Sequence, residues 1–223
     1  MSLTIPAGRI TSLWGPSGAG KSTLVQLIQR KYPPLSGEIR FNAARCEDLE
    51  LTHLRSIIGV VPQSIGVFNA SLAENILLGR SAACLQEIEE RLAACGLGTL
   101  CRRFELGLRT PLGEEGRRLS GGELELLGLA RALFAEPALL IIDEGFSAVD
   151  VDLQRALGRV IRRYSRDHAV LLITHNLETL RETDYLYLLV QGCIVEHGDP
   201  RLLLQREGLF QTLLPAMSGS IQE

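Results

Sequence analysis

The stretch Gly15-Pro16-Ser17-Gly18-Ala19-Gly20-Lys21-Ser22 constrains this chain more than any other. It fits G-x-x-x-x-G-K-[ST] at every fixed position. The run before it, Arg9 to Trp14, reads as a strand. The stretch after it, Lys21 to Lys31, reads as a helix with Leu24, Leu27 and Ile28 on one face. Strand, Gly-rich turn and helix in that order make a phosphate-binding loop. Glycines let the backbone wrap an anion with successive N–H groups turned inward. The helix start adds amides that have no partner of their own. In such a loop Lys21 reaches the β- and γ-phosphates, and the Ser22 hydroxyl binds Mg2+.

The remaining chain punctuates itself into strands and helices. Ile57-Ile58-Gly59-Val60-Val61 reads as a short buried strand stopped by Pro62. Ile39 and Phe41 alternate with polar residues as a strand does. Leu139 to Ile142 and Ala169 to Thr174 are apolar runs of strand length, and Asp150 to Tyr164 reads as a helix. Tyr185–Val190 and Cys193–Glu196, split by Gln191-Gly192, read as a hairpin. Asp199 is placed to cap a final helix through Leu204, with Pro200 at its first position. Buried strands alternating with helices predict an α/β fold with a mainly parallel sheet covered on both faces.

The middle differs. From Ser71 to Ala135 β-branched residues are sparse, and Ala83–Cys95 and Gly122–Phe134 carry helical periodicity. The expected division is a first core segment 1–62, an inserted helical subdomain 63–133, a second core segment 134–215 and a polar, frayed tail 216–223.

Composition removes several classes. With 23 basic and 26 acidic residues the net charge is −3, which supports no broad nucleic-acid surface. No stretch approaches the ~18 uncharged apolar residues that span a bilayer, and Met1 to Ile10 lacks the pattern of a signal peptide. Cys46, Cys84, Cys95, Cys101 and Cys193 are odd in number and scattered, which argues against a disulfide framework and a cysteine zinc site. No metal is expected beyond nucleotide-bound Mg2+.

Three further features carry chemistry. Asp143 and Glu144 end an apolar strand, where ligands bind in open α/β sheets. Asp143 is placed to hold Mg2+, and Glu144, pointing differently, to polarise a water. Leu119-Ser120-Gly121-Gly122-Glu123 opens a helix and offers either a second anion site or an ordinary Ser cap. His175 follows another buried strand and faces the same crevice.

Together these residues resemble the nucleotide-binding domain of ABC transporters over nearly the whole chain. Gly15, Pro16, Ser17, Gly18, Ala19, Gly20, Lys21, Ser22 and Thr23 fall in the family's Walker A loop, and Leu139 to Asp143 match the Walker B strand. Glu144 matches the catalytic carboxylate, Gln63 the Q-loop, and Leu119 to Glu123 the signature, with Glu123 in place of the usual Gln. Ser147-Ala148-Val149-Asp150 matches the D-loop and His175 the switch histidine. Thr110 to Gly116 resembles the exporter X-loop, and Phe68 to Ile76 the exporter segment after the Q-loop.

The resemblance implies an ATPase that drives an exporter. Ser22, Gln63 and Asp143 would organise Mg2+, Glu144 would polarise water, and His175 would contact the γ-phosphate. Ser120, Gly121 and Gly122 of a second such domain, identical or different, would close over each ATP. A transmembrane exporter domain would hold the chain at the cytoplasmic face of the membrane. The resemblance also implies departures. The family's early strand and adenine-stacking aromatic would precede Leu3, so this sequence is expected to be a truncated form that binds adenine weakly, and Trp14 lies too close to the loop to replace that aromatic. Leu124 and Leu126 stand where basic residues are common and are expected to expose apolar surface or mark a contact; Phe146 replaces a usual Thr. Rival readings are a soluble ABC-class ATPase, whose basic stripe is absent, and a binding module with impaired hydrolysis, which the intact Glu144 and His175 oppose. A P-loop kinase leaves Leu119 to Glu123 unexplained.

Overall fold

The structure, a computed structural model, describes residues 1–80, 84–98, 102–113, 118–144, 151–174 and 176–218. Its centre is a six-stranded sheet in the order β10-β9-β1-β8-β7-β4. These strands are β1 (Ile10–Trp14), β4 (Ile58–Val61), β7 (Leu139–Asp143), β8 (Ala169–Ile173), β9 (Tyr185–Val190) and β10 (Cys193–Gly198). All neighbours pair parallel except β9 and β10, which form the antiparallel hairpin expected around Gln191-Gly192. The mainly parallel α/β sheet is therefore as the apolar runs predict.

Strand periodicity of two divides the core. Leu140, Ile142, Val170 and Leu172 face one way, into a cluster with Ile76, Ile88, Leu92, Leu126, Leu127, Leu157 and Ile161. These partners come from the helices Leu72–Leu77, Leu85–Ala94, Gly121–Phe134 and Val151–Tyr164. Leu139, Ile141, Leu171 and Ile173 face the other way, against Leu24, Val25 and Ile28 of the helix Lys21–Ile28 and Leu54 of the helix Leu51–Ile57. Residues within 63–133 thus share one continuous core with a sheet face.

Several local expectations are corrected. The first helix ends at Ile28 rather than Lys31, with Arg30 at φ 54°. Pro200–Gln205 forms as predicted, with Asp199 accepting the Arg201 amide, but it is not final: a helix Leu209–Ser218 follows and continues through Pro215. It packs because Phe210 is fully buried against Trp14, with ring centroids 5.0 Å apart in an edge-to-face arrangement. The Glu196 carboxylate accepts the Leu209 and Phe210 amides and so caps this helix from β10. Leu126 exposes no apolar patch, being buried in the main core, and Leu124 is half-buried.

Two small ribbons complete the fold. β2 (Arg40–Phe41) pairs with β3 (Ala44–Arg45), and β5 (Ala70–Ser71) pairs with β6 (Pro111–Leu112), both antiparallel. The second ribbon joins the two segments that resemble exporter motifs. Ala70 lies opposite Leu112, and the Leu72 amide donates to the Thr110 carbonyl at 2.8 Å. Gly113 belongs to the same junction: a Cβ there would stand 2.7 Å from the Asn69 Cα. The remainder of that motif, 114–116, lies outside the described residues. Among the described residues no helix is long and apolar enough to cross a membrane.

Candidate active site

The phosphate loop leaves β1 and bends over β9. Gly15 has no room for a side chain, since a Cβ would meet the Leu189 carbonyl oxygen at 2.0 Å. Gly18 and Gly20 take φ values of 75° and 104°, which β-carbon-bearing residues rarely adopt. The Ala19 carbonyl accepts the Gly192 amide, so the β9–β10 turn braces the loop from outside.

The helix that follows is uncapped. Gly20 is its N-cap and offers no side-chain acceptor, and the Leu24 amide makes the first intrahelical bond, to the Gly20 carbonyl. The amides of Lys21, Ser22 and Thr23 therefore precede the helical ladder. At Ser71, Ser120 and Asp199 a side chain caps the helix start, whereas the starts after Glu50 and Cys84 also lack one; what sets the Lys21 helix apart is the glycine turn before it and the lysine beside it. Four residues from Gly18 to Lys21 thus leave an uncapped positive helix end on a glycine turn, which is what an anion requires.

Lys21 is buried, and its Nζ donates to the carbonyls of Gly15 at 2.7 Å and Pro16 at 3.0 Å. Burial lowers its pKa; the neighbouring Glu144 and Asp143 charges oppose that shift. Leu13 of β1 and Asp143 of β7 both lie opposite Ile173 of β8, which brings the phosphate loop and the two carboxylates to the same sheet end. Ser22 is exposed beside it.

The Q-loop and Walker B candidates also meet. Val61 of β4 lies opposite Ile142 of β7, so the chain leaves both strands at the same sheet end. There Gln63 Nε2 donates to Glu144 Oε2 at 2.6 Å. Glu144 is held at φ 55° and its amide donates to the Ile173 carbonyl of β8. This left-handed turn explains why Asp143 and Glu144, adjacent in sequence, serve different directions. His175, Phe146 and Ser147 to Asp150 lie outside the described residues.

Ser120 stands apart from this cluster as the N-cap of Gly121–Phe134. Its Oγ accepts the Glu123 amide at 3.3 Å, and the Glu123 carboxylate accepts the Ser120 amide at 2.9 Å. That is a capping box, so the cap reading of Leu119 to Glu123 is present in the structure. Glu123 is buried in that role. Trp14 is a core residue packed on Phe210.

The residues present fit a magnesium nucleotide. The uncapped helix start and Lys21 suit its phosphates; Ser22, Gln63 and Asp143 are oxygen donors of the kind Mg2+ takes. Among the described residues no cluster of three or more His, Cys, Asp and Glu is suited to another metal.

Sequence reading missed Arg131 and gave Asn75 no role beyond its place in the Phe68–Ile76 segment. Asn75 is fully buried and Arg131 bonds to it from the Gly121–Phe134 helix. The one available signal was a lone Arg among Leu129, Ala130, Ala132 and Leu133.

Comparison with known proteins agrees with this geometry. Residues 1–147 match the family described as ABC transporter. The chain is 37% identical over 215 residues to ABC transporter B family member 17 of Arabidopsis thaliana, covering 96% of this chain and 17% of that protein. It is 36% identical over 219 residues to human ATP-binding cassette sub-family B member 6, covering 98% of this chain and 26% of that one. The chain thus spans about a quarter or less of these relatives. A solved bacterial Atm1-family ABC exporter with ATP bound superposes with a TM-score of 0.84 at 32% identity, over 95% of this chain and 37% of that chain. By its matched family model, its phosphate loop and its sheet order, the chain belongs to the ABC transporter family.

Proposed function

We propose that this chain is the ATP-binding and ATP-hydrolysing domain of an ABC exporter. The observation that carries the reading is the hydrogen-bonded pair Gln63–Glu144 at the sheet end where β7 delivers Asp143 and β1 delivers the phosphate loop with Lys21. An uncapped helix start beside a lysine binds phosphate; a carboxylate held next to it handles a water proton.

In this reading Lys21 exchanges its two carbonyl partners for phosphate oxygens, a charge-assisted bond of the stronger kind. Ser22, Gln63 and Asp143 would hold Mg2+, which when bound supplies charge neutralisation on the β- and γ-phosphates. Gln63 then leaves Glu144, whose carboxylate turns to a water. His175 contacts the γ-phosphate. The rate gain comes from positioning and electrostatics.

Residues 63–133 serve as a helical subdomain between core segments 1–62 and 134–215, followed by a tail 216–223 whose first three residues close the Leu209–Ser218 helix. Ser120, Gly121 and Gly122 of a second such domain close over the γ-phosphate, giving a head-to-tail pair. A transmembrane partner receives the motion at the cytoplasmic face of the membrane. The β5–β6 ribbon supports this exporter reading, because it assembles both exporter-like segments into one unit.

Sedimentation velocity on a Glu144→Gln chain tests the proposal. A dimer in ATP-Mg2+ and a monomer in ADP-Mg2+ are expected, and Ser120→Arg should abolish the dimer while ATP still binds. A dimer that forms equally in ADP would sink it.

A further inference from the structure

The half-buried guanidinium of Arg131 bridges two pieces of chain that the proposed function uses separately. Its Nε donates to the Asn75 backbone carbonyl at 2.7 Å and its Nη2 to the Asn75 Oδ1 at 2.8 Å. Nη1 donates to the Gly66 carbonyl at 2.6 Å. Burial lowers the Arg131 pKa, yet an arginine starts so high that it stays charged.

Asn75 is itself an organiser. Its Oδ1 accepts the Phe68 amide at 2.9 Å, and its Nδ2 points at the carbonyls of Phe68, Ala70 and Ser71 between 3.0 and 3.2 Å. The arc 68–71 is therefore wrapped around one fully buried amide, and that amide is held by Arg131. A second contact acts one turn away. Ile65 lies on the bare backbone of Gly128, where a Cβ would stand 2.4 Å from Ile65 Cδ1.

Both contacts fall on the helix Gly121–Phe134, which starts at Ser120. Arg131 lies about three turns, roughly 16 Å, from that start. Gly66 is three residues beyond Gln63, whose amide holds Glu144. The helix is thus fastened at one end to the Gln63 segment and carries Ser120 at the other.

We propose that Arg131, with Gly128 and Asn75, is a positioning residue that makes the Gln63 segment and the Ser120 helix start one rigid body. When Gln63 moves, Ser120 moves with it. The inference rests on the nucleotide-site reading above. Its physical basis is that one planar guanidinium makes two charge-assisted bonds to the fully buried Asn75 and a third to Gly66, so its rigid fork fixes both segments in one geometry.

Hydrogen exchange at single-segment resolution tests this, on the full chain diluted to a monomer, with and without ATP-Mg2+. In the parent, ATP-Mg2+ should slow exchange in the phosphate loop and change exchange in the first turn after Ser120. In Arg131→Lys, which keeps the charge but loses the planar fork, the loop should still be protected while the change at the Ser120 turn is lost. Loop protection in the variant shows that it is folded. Arg131→Met should behave alike. A change at the Ser120 turn that persists in both variants, or is absent from the parent, overturns the positioning role. A parent loop that ATP-Mg2+ leaves unprotected overturns the nucleotide-site reading instead, and this inference with it.

Discussion

Gln63 donates its side-chain amide to the Glu144 carboxylate across 2.6 Å, and the two residues are 81 positions apart in sequence. The contact exists because β4 and β7 are parallel neighbours whose carboxyl ends coincide. It occupies the carboxylate that the proposed chemistry needs. Glu144→Gln should keep ATP binding and slow hydrolysis by ~10²-fold or more, the scale of lost general-base help. Lys21→Ala should weaken ATP binding itself, because a charged phosphate partner is lost. Nucleotide titration and phosphate-release assays on the two variants separate these outcomes. Parent-rate hydrolysis by Glu144→Gln would remove Glu144 from the chemistry.

Gly15 and Gly18 are predicted to fail for different reasons. Gly15→Ala drives a Cβ into the Leu189 carbonyl, a backbone atom that cannot step aside. A loss of about 3 kcal/mol or more is expected, at the upper end of overpacking costs. Gly18 has open space around it and only its φ of 75° at stake, so Gly18→Ala should cost about 1 kcal/mol. Urea unfolding of the two nucleotide-free variants checks the order. Equal losses would refute the packing argument at Leu189.

Glu123 should influence stability and dimerisation in opposite senses. Its carboxylate caps the helix start, where negative charge is favoured by about 0.3–1 kcal/mol. The same charge stands where a second subunit would present a phosphate. Glu123→Gln retains a capping box. It should lower the melting temperature slightly and tighten the ATP-dependent dimer by up to roughly fivefold, the scale of about 1 kcal/mol for like charges in water. Scanning calorimetry and sedimentation velocity read the two effects. Weaker dimerisation by Glu123→Gln would show that the carboxylate supports the interface.

The capping box at Ser71 should confer an acid-side dependence. Hydrogen bonds from the Ser71 side chain and then its amide lower the Glu74 pKa below 4.5. A carboxylate with a depressed folded pKa contributes stability that is full above the unfolded value and is lost as pH falls through the folded one. The difference in melting temperature between the parent and Glu74→Gln should therefore be constant above pH ~5 and shrink below it. A difference that is flat down to pH ~3 would mean that the box is not formed in solution.

Residue patterns alone determined the phosphate loop, the parallel α/β sheet and the place of Asp143 and Glu144 at a strand's end; Gln63 entered only through the family resemblance, and its contact with Glu144 only through the sheet. These are local signals: a glycine spacing, apolar runs of strand length, and a carboxylate at a strand's end. Each states its own conformation and needs no distant partner. The boundaries that strayed, at Ile28 and in the continuation of Leu209–Ser218 past Pro215, depend on what the segment packs against. Phe210 makes its helix worthwhile only because Trp14 lies opposite and Glu196 caps it from another strand. Leu126 reads as a surface anomaly until the helix is laid on the sheet, which buries it. The two-residue strands β5 and β6 have no periodicity to detect; each exists only through the other. Arg131 gained a partner set only when tertiary packing brought Asn75 and Gly66 to it. Pairings between residues far apart in the chain carry no local code, because their energy appears only once the chain has closed the loop between them.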